Sequence, residues 1–176
     1  MLVPIKENQN GFSLMELIVA LLVFGIAIAI AAPNFRTFIV NTQIRTTAES
    51  IRNGLQVART EAVKRNEVVR FTLSSDTSWI VGCPTVTANC PASIEAKPAK
   101  EGSSNTMTLT LTGASNISFT NLGTVTVSLG QLSQIDIDDS STPAIDTKDL
   151  RITIGAGGNA RLCDPNVSST TDSRHC

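Results

Sequence analysis

The chain has no tyrosine, a single tryptophan (Trp79) and a single histidine (His175). With one histidine at the next-to-last position, no Ser/His/Asp or Cys/His catalytic set can be assembled. No CxxC pair exists among the four cysteines, so the ligand spacing of a zinc site is missing too. Phosphate loops are also absent, because Gly155-Ala-Gly-Gly158 lacks the Lys-Ser/Thr that completes a P-loop. A net charge of −1 provides no global basic field for nucleic acid. Asp136, Asp138, Asp139, Asp146 and Asp149 form an acidic run, but without EF-hand spacing. Alternation with Ile135 and Ile137 reads Asp136 and Asp138 as the solvent face of a strand instead. There are no internal repeats. The expectation is a chain that is not an enzyme and uses neither cofactor nor metal.

What the chain does have is a long apolar run. Between residues 12 and 35 the only charged residue is Glu16, and residues 17–32 are apolar without interruption. A helix needs about 20 such residues to cross about 30 Å of hydrocarbon. This run reaches that length only if it starts near Phe12 and passes Pro33. A secretory signal peptide would have a shorter core with no acid inside it, followed by small residues such as Ala29, Ala31 and Ala32. A simple membrane anchor accounts for neither Glu16 nor the Gly11-Phe12 junction. An acid at that depth costs a few kcal/mol and marks function by default.

Beyond Pro33, Ile44, Ala48, Ile51, Leu55, Ala58 and Ala62 recur at alternating steps of four and three. That is one apolar stripe on an otherwise polar helix, which continues the same rod to about Arg65. Arg45, Arg52 and Arg59 form a second stripe, readable as a solvated face or as a contact with an acidic neighbour. Glu49 is placed to pair within it. Gly54 weakens the helix by about 1 kcal/mol and marks a close approach to a sheet.

After Asn66 the period changes to two. Val69-Phe71-Leu73, Met107-Leu109-Leu111, Val125-Val127-Leu129 and Leu150-Ile152-Ile154 read as half-buried strands. Shorter strands are expected near residues 78–82, 117–119, 135–137 and 159–162. Residues 95–101 read as a charged, mobile loop. The fold class is α+β: a long N-terminal helical spine, one half for membrane and one half amphipathic, packed on an antiparallel β-sheet domain. An export-type helix favours disulfides over metal ligation. Of the three connectivities four cysteines allow, the local closures Cys83–Cys90 and Cys163–Cys176 are expected.

The heptapeptide Gly11-Phe-Ser-Leu-Met-Glu-Leu17 resembles the prepilin cleavage motif of type IV pilins and type II secretion pseudopilins. The resemblance implies cleavage after Gly11 by a prepilin peptidase and N-methylation of the new terminus on Phe12. It implies that Glu16 pairs with the terminal amine of a neighbouring subunit, and that Pro33 is the helix-bending proline. Such a pair suits the physics, since a buried carboxylate needs a cation and a helix N-terminus favours an acid. The expected division is a leader over 1–11, a transmembrane and assembly helix over 12–35, its amphipathic continuation over 36–66 and a periplasmic β-rich domain over 67–176.

Residues 56–66, QVARTEAVKRN, with the segment 157–165, are similar to the GspH/FimT group of minor pilins and pseudopilins. Ala58, Arg59, Glu61, Ala62 and Arg65 match the group's helix pattern. A DNA-binding Gly-Arg-x-Arg of competence-linked members reads Gly-Asn-Ala-Arg here, so Arg161 alone matches. The resemblance implies a subunit of a type IV pilus or type II secretion pseudopilus, at or near the tip and helping to initiate assembly. Its partners would be other pilins through the N-terminal helix, the peptidase and the inner membrane. The alternative is a DNA-binding pilin using Arg161, Arg174, Lys148 and Arg151.

Overall fold

The computed structural model describes residues 11–99, 101–127, 130–143 and 146–176, and the side chains of 31–34 are not part of that description. The expected leader up to residue 10 and Leu129 of one expected strand therefore lie outside the described residues, as does the side chain of Pro33.

The first element is a helix, α1 (Leu14–Arg65), with Glu16 in its first turn and Lys64 and Arg65 in its last. Those charges complement the helix dipole at both ends. The helix ends because Asn66 adopts φ 57°. There the Asn66 amide donates to the Val63 carbonyl and the Glu67 amide to the Ala62 carbonyl. This is a Schellman closure with asparagine at the left-handed position.

The chain divides into two compact units, Met1–Arg36 and Thr37–Cys176. In the first, each large apolar side chain between Leu14 and Ile30 is 50 % exposed or more. Among the described residues no single straight helix is both long and apolar enough to cross a membrane. Leu14–Ile30 and Phe35–Arg65 meet that test only when taken together.

The second unit holds two four-stranded antiparallel sheets. In one, β1 (Val69–Leu73) is flanked by β2 (Trp79–Gly82) and β5 (Asn116–Phe119), with β3 (Glu95–Lys97) outside β2. In the other, the order is β4 (Met107–Thr112), β6 (Gln134–Asp139), β7 (Leu150–Ile154) and β8 (Ala160–Cys163). The α1 residues Ile44, Ala48, Ile51, Leu55, Ala58 and Ala62 are all buried in a core shared with Phe71, Phe119, Ile135, Ile137 and Ile152. Full burial of an Ile, Leu or Phe side chain stabilises by roughly 1.5–3 kcal/mol, so this seam holds the helix on the sheets. Gly54 lets it come close, since a Cβ there would sit 2.7 Å from Phe71 and 3.0 Å from Trp79. The Trp79 indole N–H then reaches the Ser50 hydroxyl at 3.1 Å.

Two expectations are corrected. Residues 95–97 form the edge strand β3, registered against Val81, Ile80 and Trp79. Its Glu-Ala-Lys sequence hides it, because Glu95 and Ala96 are exposed and Lys97 is half-buried, which leaves no apolar alternation to read. Val125 and Val127 are not in a strand; Val125 makes one isolated bridge to Phe119 and Val127 is fully exposed. The segment crosses between the sheets, and its hydrogen bonds split accordingly. Thr126 donates to Ser118 in one sheet, while Val125 donates to Ala156 beside the other.

Candidate functional site

At the N-terminus, Gly11 has open space around it and Phe12 is 87 % exposed. Glu16 lies in the exposed first turn and makes no ion pair with another described residue. The chain thus presents Gly11, Phe12 and, in the first turn of α1, one carboxylate next to a run of exposed apolar side chains.

Where α1 meets the two sheets, Arg59 donates through Nε to the Gly123 carbonyl at 2.9 Å. Gly123 and Gly158 have φ of 74° and 79°, and a Cβ on Gly158 would lie 2.2 Å from the Gly123 oxygen. One arginine therefore sits against two left-handed turns, one following β5 and one between β7 and β8. Three residues on, Ala62 is in the core, while Glu61 accepts from both Lys64 and Arg65. Arg65 chiefly, against a burial penalty, holds the Glu61 carboxyl below its ordinary range. Arg65 also donates to the Asn89 carbonyl inside the loop closed by Cys83–Cys90. The helix pattern of Ala58, Arg59, Glu61, Ala62 and Arg65 is thereby occupied in fastening loops to the spine.

A groove of about 610 Å³ runs beside the N-terminal part of the second unit's helix. Phe38, Leu150 and Leu162 give it apolar walls, and Arg45, Lys148 and Arg174 give it cations, opposed by Glu49 and Asp164. Arg45 pairs with Glu49 at 2.8 Å. Asn41 pins the rim by accepting from the Lys148 amide (2.7 Å) and donating to the Asp146 carbonyl (3.3 Å). Sequence reasoning missed Asn41, although its spacing from Ile44, Arg45 and Ala48 puts it on the helix flank next to the seam.

Of the four cations singled out from the sequence, three have structural engagements. Arg151, on β7, pairs with Asp136, its cross-strand partner on β6. Arg161, on β8, donates to the Ser173 and His175 carbonyls at 3.2 and 2.6 Å. Arg174 pairs with Asp172, whose carboxyl it holds at about 2 through side-chain and then backbone hydrogen bonds. Lys148 forms none of the ion pairs described. The Cys163–Cys176 bond closes a ring that contains Arg174 and whose backbone Arg161 binds, and Arg174 and Lys148 share the groove, whereas Arg151 faces Asp136 on the sheet.

Lys97 lies beside a second groove of about 410 Å³, lined also by Ser50, Trp79, Glu95 and Glu101. Its Nζ is buried with no hydrogen-bond partner, and burial pushes its pKa down against the pull of Glu101. Among the described residues, no three His, Cys, Asp or Glu side chains converge as a metal site.

The family described as type II transport protein GspH matches residues 47–158, and the prokaryotic N-terminal methylation motif matches residues 6–32. No curated protein matches the chain. Among solved structures, the chain is similar to the type IV minor pilin FimU of Pseudomonas aeruginosa, with TM-score 0.51 and 17% identity. That match covers 71% of this chain and 99% of FimU. It is likewise similar to the minor pseudopilin EpsH from the Type 2 Secretion System of Vibrio cholerae, with TM-score 0.52 and 16% identity over 71% of this chain and 99% of EpsH. At such identities the likeness is one of fold: a long helix on antiparallel sheets.

Proposed function

The chain belongs to the type II transport protein GspH family, and from that premise we propose that it is a minor subunit of a type IV pilus or type II secretion pseudopilus, located at or near the tip and helping to initiate assembly. The observation that supports this reading is the bare apolar half of α1. Twelve large apolar side chains between Leu14 and Ile30 are half exposed or more. Left in water they forgo on the order of 20 kcal/mol of burial, more than the whole stability of a typical domain. Lipid covers them before assembly, with the β-rich unit in the periplasm. After a prepilin peptidase cleaves behind Gly11 and the Phe12 amine is methylated, the helices of neighbouring pilins cover them. Glu16 then takes a neighbour's terminal amine as its cation, which offsets the cost of its burial. Pro33 bends the helix between its two halves.

The maturation step is tested by Gly11→Val, with intact-mass measurement of the membrane-bound protein. The expected result is a precursor eleven residues longer than the wild-type product, which itself starts at a methylated Phe12. A wild-type product starting after Ala32 would sink the reading, because the apolar helix would have been discarded as a signal peptide. DNA capture through Arg161, Arg174, Lys148 and Arg151 has less support, because Asp136 and Asp172 already neutralise two of the four. A mobility shift with duplex DNA at low salt, lost on Arg161→Ala, would reverse that preference.

A further inference from the structure

Two sheets have four edges, and natural sheets protect theirs against pairing with foreign chains. Three edges here are protected. β3 is three residues long, carries Glu95 and Lys97, and is followed by Pro98. The free side of β5 is occupied by Thr126, which donates to the Ser118 carbonyl at 2.9 Å. Gln131 completes that cover: its Oε1 accepts from the Ser118 amide at 3.2 Å, and its Nε2 donates to the Thr126 carbonyl at 2.8 Å. β8 is shielded by the disulfide ring, through a bridge between Asp164 and His175 and the bonds from Arg161 to Ser173 and His175.

The fourth edge, β4, has none of these devices. Among the described residues β4 pairs with β6 alone. Residues 106–112 read Thr-Met-Thr-Leu-Thr-Leu-Thr, with no charge, proline or glycine. The Ser140 amide donates to the Thr106 carbonyl, which in this register makes Thr108–Asp138 and Thr110–Asp136 the hydrogen-bonded pairs. The amides and carbonyls of Leu109 and Leu111 therefore point outward, along an edge of about 20 Å. Thr108, Thr110 and Thr112 are exposed on one face, and Leu109 and Leu111 are only partly buried on the other.

We propose that the β4 edge is a docking site for an extended strand of a partner protein, apolar on the side of Leu109 and Leu111 and cationic on the side of Thr108 and Thr110. The charge follows from the neighbouring strand. Asp136 already has Arg151, but Asp138, opposite Thr108, faces Asp149 and Asp139 with no cation among the described residues. A residue on the added strand opposite Thr108 would lie two strand spacings, about 9.6 Å, from Asp138. A lysine or arginine spans that distance across the threonine. A second copy of β4 does not fit, because residues 106–112 contain no lysine or arginine to supply the cation.

The test is residue-resolved amide exchange on the full chain in detergent micelles, with and without a capped nine-residue peptide of alternating valine and lysine. In the free chain the Leu109 and Leu111 amides should exchange at least 10-fold faster than those of Thr108 and Thr110. Saturating peptide should slow Leu109 and Leu111 at least 10-fold, while a valine–glutamate peptide should bind at least 10-fold more weakly. Thr110→Lys, which leaves the core untouched, should abolish the protection, and Thr110→Val should keep it. Unchanged exchange at saturating peptide would overturn the proposal, as would equal protection by both peptides. Protection that rises with chain concentration alone would also overturn it, by assigning the edge to a second copy. The assay contains no filament, so its failure leaves the maturation experiment to be judged independently.

Discussion

Single side chains settle how closely the spine lies on its sheets. Gly54 is unfavourable in a helix by about 1 kcal/mol relative to alanine, yet alanine's methyl would press on the buried rings of Phe71 and Trp79. Both rings are fixed in the core, so the clash outweighs the propensity gain. Gly54→Ala should lower stability by about 1–3 kcal/mol, read as a reduced thermal midpoint with unchanged far-UV dichroism. Asp138 is the opposite case, a residue the fold holds at a disadvantage. Burial first, then the nearby Asp149, raises its pKa. A raised acid binds its proton more tightly folded than unfolded, so its contribution to stability falls as pH climbs through and above the ordinary carboxylate value. Asp138→Asn should therefore stabilise by about 0.5 kcal/mol at pH 7 and have no effect near pH 3. Asparagine's Oδ1 can still accept from the Asp139 amide, so that bond is kept while the charge is removed. Gly54's role was legible from its place in the apolar stripe. That of Asp138 was not, since its sequence neighbours give no sign of Asp149 across the loop.

Elements were legible where one face is buried and illegible where neither is. α1, β1, β4 and β7 carry their period in plain view because the core selects every second, or every third and fourth, residue. β3 has no apolar face to impose a pattern, and Val125-Val127 alternates without a partner strand because two sheets share its hydrogen bonds. The C-terminal ring is an element of another sort, made by cross-links rather than by burial. Cys163–Cys176 closes it, and Arg161 and Arg174 bind its backbone and Asp172. For a loop of about this length a disulfide contributes roughly 3 kcal/mol, so Cys163→Ser with Cys176→Ser should cost up to that amount. The loss should be local, with faster exchange in β8 and no change in β1 or β2. Asp172 is held below the unfolded carboxylate value, so the stability it provides is present above about pH 4 and is lost as pH falls through about 2. The Arg174 amide donates to Asp172, so its protection relative to the unfolded-chain exchange rate at the same pH should fall across that window.

For the molecule as a whole, the sequence announces the kind of part more clearly than its neighbours. The prepilin-like heptapeptide and the apolar run stand at one end, and the proposed maturation gives them a chemical meaning: a glycine to cleave behind, a new terminal amine and one acid in the first helical turn. The cations of the other end looked like a ligand footprint in sequence, but folding spends most of them on local pairs that no spacing rule could foresee. Arg151 meets Asp136 only because β6 and β7 pair in that register. Among the described residues Glu16 has no ion pair, and the apolar surface behind it is exposed. If Glu16 finds a neighbour's amine, then Glu16→Gln keeps the helix and its hydrophobicity while removing only the charge. The variant should still reach the membrane and lose its leader, yet its share in sheared filaments relative to membranes should fall at least 10-fold. That drop follows from leaving a neighbour's amine buried without its counter-ion, a penalty of about 3–5 kcal/mol. Quantitative immunoblotting of the two fractions measures the ratio. Unaltered incorporation of the processed variant would mean that apolar packing alone recruits the subunit and that the acid serves some other step.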